Sequence, residues 1–178
     1  MKSLDTIIAQ RYSPRNFADR SVSDESIRQV FEAARHAPSS YNEQPWRFIY
    51  ATREQSETYQ KLLSCINEYN QSWATGAPIL MLSLAKKHFS QNGKPNRHAW
   101  HDTGTAVGFL LLKATELDLY AHQMAGFYPD KAREACNISD EYEPGVMMAL
   151  GYLGEEERPE KPRKEINEFA FAGNEKVL

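Results

Sequence analysis

The sequence predicts a single domain in which one sheet of four strands is covered by helices. Three observations predict it. The chain has 178 residues, the usual length of one domain. Its hydrophobic periods alternate between helical and extended segments in the order α-α-β-α-β-α-β-α-β, and strands separated by helices form one covered sheet. One helical segment, 101–117, is small or apolar around most of its circumference. That implies burial on more than one side, under the sheet or in a dimer interface. Alternation alone suggests that successive strands run parallel, because parallel strands need helical crossovers.

The elements follow in order. Leu4–Gln10 is expected to be helical, with Ser3 as its cap. A second helix starts after Ser23; Ile27, Val30, Phe31 and Ala34 make its apolar face, and Pro38 ends it. Trp46–Tyr50 reads as a strand. Thr52-Arg53-Glu54-Gln55 fits a capping box, and Tyr59, Leu62, Leu63 and Ile66 give the next helix its face. Pro78 introduces a buried strand at Ile79–Ala85. The long helix follows at His101–Leu117, then a strand at Leu119–Met124. Pro129 opens a short helix through Ala135, and Val146–Leu153 is the last strand.

Composition bounds the function. The net charge is −3 and the pI about 6.0, which argues against a general affinity for nucleic acid or an anionic membrane. A local basic pocket for one phosphate remains open. Cys65 and Cys136 lack metal-ligand spacing and are too few for a secreted disulfide scaffold. Asp5 interrupts any leader-like apolar start, and Ile79–Leu82 is far too short to span a bilayer. The expectation is a soluble, cytoplasmic protein. After Gly154 the chain is charged and broken by Pro159 and Pro162, and alone would read as a disordered end. Phe169 and Phe171 beyond it suggest that this tail docks on something.

Four segments can carry chemistry. In Arg11-Tyr12-Ser13-Pro14-Arg15-Asn16-Phe17, two arginines and a serine alternate, so in extended backbone they line one wall. Guanidinium groups and a hydroxyl suit a phosphate and a polar ring; a solvated basic turn is the plainer alternative. Ala37-Pro38-Ser39-Ser40-Tyr41-Asn42-Glu43-Gln44-Pro45-Trp46 offers short donors and acceptors, or ordinary turn chemistry. In Met124-Ala125-Gly126-Phe127 the glycine lets a ligand approach the backbone, or merely permits a bend. Lys161 and Arg163 alternate in the tail and can join Arg11 around a phosphate, or belong to a solvated end. His98 and His101 stand three apart near Asp102 without a third strong ligand, so no metal site is assigned. No GxGxxG, Walker loop, GxSxG or HExxH occurs.

Taken together, these segments resemble the nitroreductase family of flavoproteins over nearly the whole chain. Arg11–Phe17 resembles the family's opening Arg-x-Ser-x-Arg-x-Phe signature, and Ala37–Trp46 its most specific motif. Asp102-Thr103-Gly104 resembles the start of its central helix. Met124–Phe127, then Gly151-Tyr152 and the Lys-Pro-Arg tail, complete the series in order. The resemblance implies an α+β fold with a central, mainly antiparallel sheet flanked by helices, and an intertwined homodimer with FMN sites at its interface. It thus overrides the parallel expectation.

The resemblance also implies roles. Arg11, Ser13 and Arg15 hold FMN from one subunit: Arg11 near the phosphate with Lys161 and Arg163, Arg15 at the N1 and O2 edge of the ring. Asn70 bonds the pyrimidine edge, and the backbone of Ala125 and Gly126 approaches N5. Pro38, Ser39, Ser40 and Asn42 come from the other subunit. The tail, about 155–178, wraps the partner. Trp73 departs from the pattern, since some relatives carry a lysine there; more electrostatic load falls on Arg15. The implied activity is ping-pong hydride transfer from NADH or NADPH to the flavin, then to a nitroaromatic, quinone or similar electron-poor acceptor. The flavin carries the chemistry and no side chain is assigned as catalytic. A specialised relative (ene-reduction, dehalogenation or flavin modification) and a non-catalytic FMN-binding protein are the alternatives. Only 64–76 and 89–99 are available to shape a lid.

Overall fold

The computed structural model describes residues 2–155 and 157–173. Ser3 Oγ accepts the Thr6 N–H at 3.2 Å and opens helix α1 (Leu4–Gln10). Ser23 does the same for the Ser26 N–H at helix α2 (Asp24–Arg35). Strand β1 (Trp46–Thr52) follows a 3₁₀ turn at Ser40–Asn42. The capping box forms only in part. Gln55 Oε1 accepts the Thr52 N–H, but Thr52 still belongs to β1, opposite Ile79, so helix α3 (Ser56–Cys65) starts after Gln55.

The chain then does something the periodicity did not reveal. At Ile66 it turns extended and forms a bridge with Phe127. Asn67 Oδ1 caps the Asn70 N–H, and a separate helix α4 (Glu68–Ala74) begins. Ile66 is therefore a buried linker residue, not part of the α3 face. Strand β2 (Ile79–Lys86), the long helix α5 (Ala99–Glu116), strand β3 (Leu119–Met124) and helix α6 (Pro129–Ala135) lie close to expectation. Strand β4 (Tyr142–Tyr152) starts four residues before the expected Val146. Tyr142, Glu143 and Pro144 pair with Lys86, Ala85 and Leu84 beyond an irregularity at Ser83. Gly145 packs there on Ser83, where a Cβ would come within 2.6 Å of its Oγ.

The strand order is β1-β2-β4-β3, and every neighbouring pair is antiparallel. The parallel expectation from alternation is corrected for a geometric reason. Thr52 stands opposite Ile79, so α3 and α4 leave the sheet and return at the same end. α6 makes a similar excursion between Met124 and Met147, which are also register partners. Only β2-α5-β3 crosses the sheet, and it skips over β4 to do so.

Both sheet faces are covered. Along β2, Ile79 and Met81 enter the core under α2 and α5, while Leu80, Leu82 and Leu84 enter the one under α3, α4 and α6. Such alternation on a strand buried on both sides explains its continuous apolar run. The described tail carries a 3₁₀ turn at Ile166–Glu168 and leaves Phe169 and Phe171 exposed. Residue 156 and residues 174–178 of the tail lie outside the described residues. Among the described residues no helix is long and apolar enough to cross a membrane.

Candidate functional site

The opening segment is placed by what it crosses. At Arg11 the backbone leaves α1 for extended geometry, its N–H still bonded to Ile7 O. His122 Nδ1 lies 2.8 Å from Pro14 O. Ala18 N–H donates to Tyr152 O, Gly154 N–H donates to Asn16 O, and buried Phe17 bridges Leu153. Arg11, Ser13 and Arg15 thus lie along a strip stitched to β3 and the end of β4. Arg11 also donates to Ser13 Oγ at 3.3 Å.

One end of the strip borders a cavity of about 530 Å³. Arg11, Tyr12, Arg158, Glu160, Lys161 and Arg163 line it. Four cations against the single carboxylate of Glu160 leave an excess of positive charge around one space, which favours a bound anion. The tail is held here by aromatic contacts: the Arg158 guanidinium lies 4.7 Å from the Tyr120 centroid and 5.5 Å from that of Tyr12, with Lys161 Nζ at 5.4 Å from Tyr12. Arg11, Lys161 and Arg163 are brought together as expected. Arg158, Tyr12 and Tyr120 were missed, because pairing between segments far apart in the chain leaves no local signal.

The other end meets α4. Arg15 Nη1 donates to Tyr69 Oη at 2.9 Å, its guanidinium lying 5.4 Å from the Tyr69 centroid. Next along α4, Asn70 Nδ2 donates to Gly126 O at 3.2 Å, and Asn67 N–H donates to the same carbonyl at 3.1 Å. A Cβ at residue 126 would come within 2.5 and 2.6 Å of the Asn67 and Asn70 amide nitrogens. Only glycine lets the 125–126 backbone sit this close to α4. One turn on, Trp73 stacks on His122 with centroids 4.5 Å apart. Its buried Nε1 has no hydrogen-bond partner among the described residues. Arg15, Asn70, Ala125 and Gly126 are therefore assembled in one chain, with Tyr69, Asn67 and His122 as neighbours the sequence reading did not single out. Asn67 carried a legible signal, a capping residue ahead of Glu68.

Pro38, Ser39, Ser40 and Asn42 sit apart from this track, beside the start of α5. Ser40 N–H donates to Asp102 Oδ2 at 2.9 Å, and Asp102 is buried. Ser39 Oγ accepts the Gln44 N–H at 3.0 Å. Tyr41, Asn42 and Gln44 all have positive φ. Glu43 anchors the segment: burial pushes its carboxyl upward in pKa, but hydrogen bonds from Ser90 and the nearby Lys86 more than offset this and hold it below the usual range. His101 Nδ1 lies 3.1 Å from Asp102 Oδ1, and no group of three metal-capable side chains occurs among the described residues.

Comparison with known proteins gives a consistent result. The model of the Nitroreductase family matches residues 8–152. A solved structure described as an oxidoreductase containing FMN is similar at a TM-score of 0.81 and 32% identity, over 86% of this chain and 79% of that one. A nitroreductase family protein from Clostridium difficile 630 is similar at a TM-score of 0.77 and 30% identity, over 97% of this chain and 98% of that one. An NADH dehydrogenase from Thermus thermophilus is 24% identical, over 86% of this chain and 88% of its own length.

Proposed function

Because the chain belongs to the nitroreductase family, we propose that it is an FMN-dependent NAD(P)H oxidoreductase that passes hydride to an electron-poor acceptor such as a nitroaromatic or quinone. One observation carries the reading. A continuous polar track runs from the cationic cavity at Arg11, Lys161 and Arg163 through Ser13 to Arg15, Asn70 and the close-packed backbone at Gly126. Its cationic end suits a phosphate and its other end the edge of a flat heterocycle, so the residues fit FMN.

When bound, FMN would supply the hydride-transfer chemistry. The chain's part is to bind, orient and balance charge. Arg11, Lys161 and Arg163 hold the phosphate. Arg15, steadied by Tyr69, places a cation at the N1 and O2 edge, where negative charge develops; a fixed cation there lowers the cost of that charge. Asn70 and the Ala125–Gly126 backbone would hold the edge of the flavin ring. Trp73 is aromatic where a second cation would add to Arg15, so Arg15 bears that load. Donor and acceptor use the same open face in turn, which is ping-pong turnover without a side-chain nucleophile.

Pro38, Ser39, Ser40 and Asn42 complete the pocket from a second copy, making the protein a homodimer. Exposed apolar residues support this: Leu4, Ile8, Trp100 and Phe109 on α1 and α5, and Phe169 and Phe171 in the tail. Of these, Leu4 and Phe109 line one groove between α1 and α5, and contiguous exposed apolar surface marks an interaction face. The tail wraps the partner in this reading. Truncation after Gly154 is expected to weaken both FMN retention and dimerisation, checked by equilibrium sedimentation and flavin titration. A truncated dimer that fills with FMN normally would sink the role given to the tail.

The test of function is an anaerobic absorbance spectrum with added FMN, before and after each nicotinamide. A bound flavin that bleaches on adding NADH or NADPH is expected. A bound flavin that stays oxidised with both would reassign the protein to flavin storage, and no bound flavin would overturn the reading.

A further inference from the structure

The Ser39–Gln44 segment is strained, pinned and outward-facing at once. Three of four consecutive residues are non-glycine with left-handed backbone: Tyr41 at φ 52°, Asn42 at 56° and Gln44 at 51°. Such conformations persist only where the surroundings over-determine them. Yet Tyr41 and Asn42 point outward, Tyr41 being 83% exposed. The backbone is held in an unfavourable shape while these side chains are presented to something else.

The ends of the segment are tied locally or to α5. Ser40 N–H bonds Asp102, Gln44 N–H bonds Ser39 Oγ, and Arg47 Nη1 donates to Gln44 O at 3.0 Å. Its middle is tied by Glu43 to a turn 47 residues away. The Ser90 N–H lies 3.0 Å from both carboxylate oxygens, and Ser90 Oγ donates to Oε1 at 2.6 Å. Lys86 Nζ stands 2.6 Å from Ser90 Oγ and 3.6 Å from Glu43 Oε1. The Glu43 side chain is only 7% exposed. Beside this clamp, Tyr41 meets Phe89 edge to face at 5.8 Å. A carboxylate buried in a surface loop is costly to desolvate unless it is fully bonded. Here Ser90 donates to both oxygens and Lys86, at the end of β2, stands beside them.

We propose that Glu43 is a positioning residue: by clamping the Phe89–Ser90 turn it fixes the Ser39–Asn42 backbone that reaches the FMN of the second subunit, and so couples residues 87–98 to the cofactor. This rests on the two-chain FMN site proposed above. Without the clamp, the strained backbone relaxes and the donors of Ser39, Ser40 and Asn42 arrive misplaced.

The test uses the full-length protein and its Glu43→Gln, Ser90→Ala and double variants. FMN affinity is measured by titration, the bound flavin by visible circular dichroism, and backbone order by amide exchange without FMN. Glu43→Gln is expected to weaken FMN by about tenfold, the factor of a hydrogen bond to a charged group. It also alters the visible dichroism and speeds exchange only in 39–44 and 88–93. Ser90→Ala, at an exposed position, does the same with the carboxylate kept, and the double variant loses no more than either single. Unchanged affinity and dichroism in both single variants would overturn the proposal. So would exchange raised evenly across the whole chain, the mark of a general stability role. A wild-type protein that binds no FMN would overturn the functional reading itself, and the clamp's role with it.

Discussion

Arg11→Ala is expected to raise the FMN dissociation constant by about ten- to a hundredfold while leaving the melting temperature of the FMN-free protein nearly unchanged. The two halves of this expectation have separate causes. Arg11 closes α1 with its backbone N–H, which alanine keeps, and its side-chain hydrogen bond to Ser13 Oγ is a long 3.3 Å contact. Little native stability is therefore lost. The same guanidinium shares a cavity with three other cations, Arg158, Lys161 and Arg163, and one carboxylate, Glu160, so its removal lowers an excess of positive charge when no anion is bound. When phosphate is present, a charge-assisted contact goes missing instead. Flavin titrations at two salt concentrations, beside melting curves without FMN, separate these effects. Undiminished retention at low FMN would place the phosphate elsewhere.

Gly126→Ala is expected to cost about 1–3 kcal/mol, a fall in melting temperature of about 3–10 °C for a chain of this size, and to weaken FMN as well. The new methyl group would need the space of the Asn67 and Asn70 amide nitrogens, 2.5 and 2.6 Å from its ideal position. Neither amide is free to give way. Asn67 Oδ1 caps α4 and Asn70 Nδ2 bonds Gly126 O. Pushing them aside loosens the first turn of α4 and moves Tyr69, the partner of Arg15. One substitution thus reaches the fold and the pocket together. Differential scanning calorimetry and flavin titration on the same preparation check it; a variant that melts and binds as the parent does would mean that the 125–126 backbone is not confined by α4.

Much of the site was legible because its signals are local. Arg11, Ser13 and Arg15 alternate within five residues, and extended backbone sends alternate side chains the same way. The glycine at 126 was legible as a close approach or a bend, and its crowding against Asn67 and Asn70 shows the close approach. What could not be read was which distant group each would meet. Arg158 on Tyr12 and Tyr120, Trp73 on His122, and Glu43 on Ser90 join segments far apart in the chain. No period or spacing encodes such pairs.

The same division holds for the fold. By itself the sequence determined where most elements begin and end, since Ser3, Ser23, Pro78 and Pro129 act on their own neighbours through capping bonds and restricted backbone angles. It also determined that β2 is buried on both faces, because its run from Ile79 to Ala85 has no polar side to turn outward except Ser83. Strand direction was decided only in the tertiary structure. Whether the chain between β1 and β2 crosses the sheet or returns to the same end depends on the break at Ile66 and Asn67. Ile66 has an apolar side chain that suits α3 equally well; it becomes extended because it is buried while bridging Phe127, 61 residues further along. Local preference sets the elements, and contacts across the fold set how they are joined.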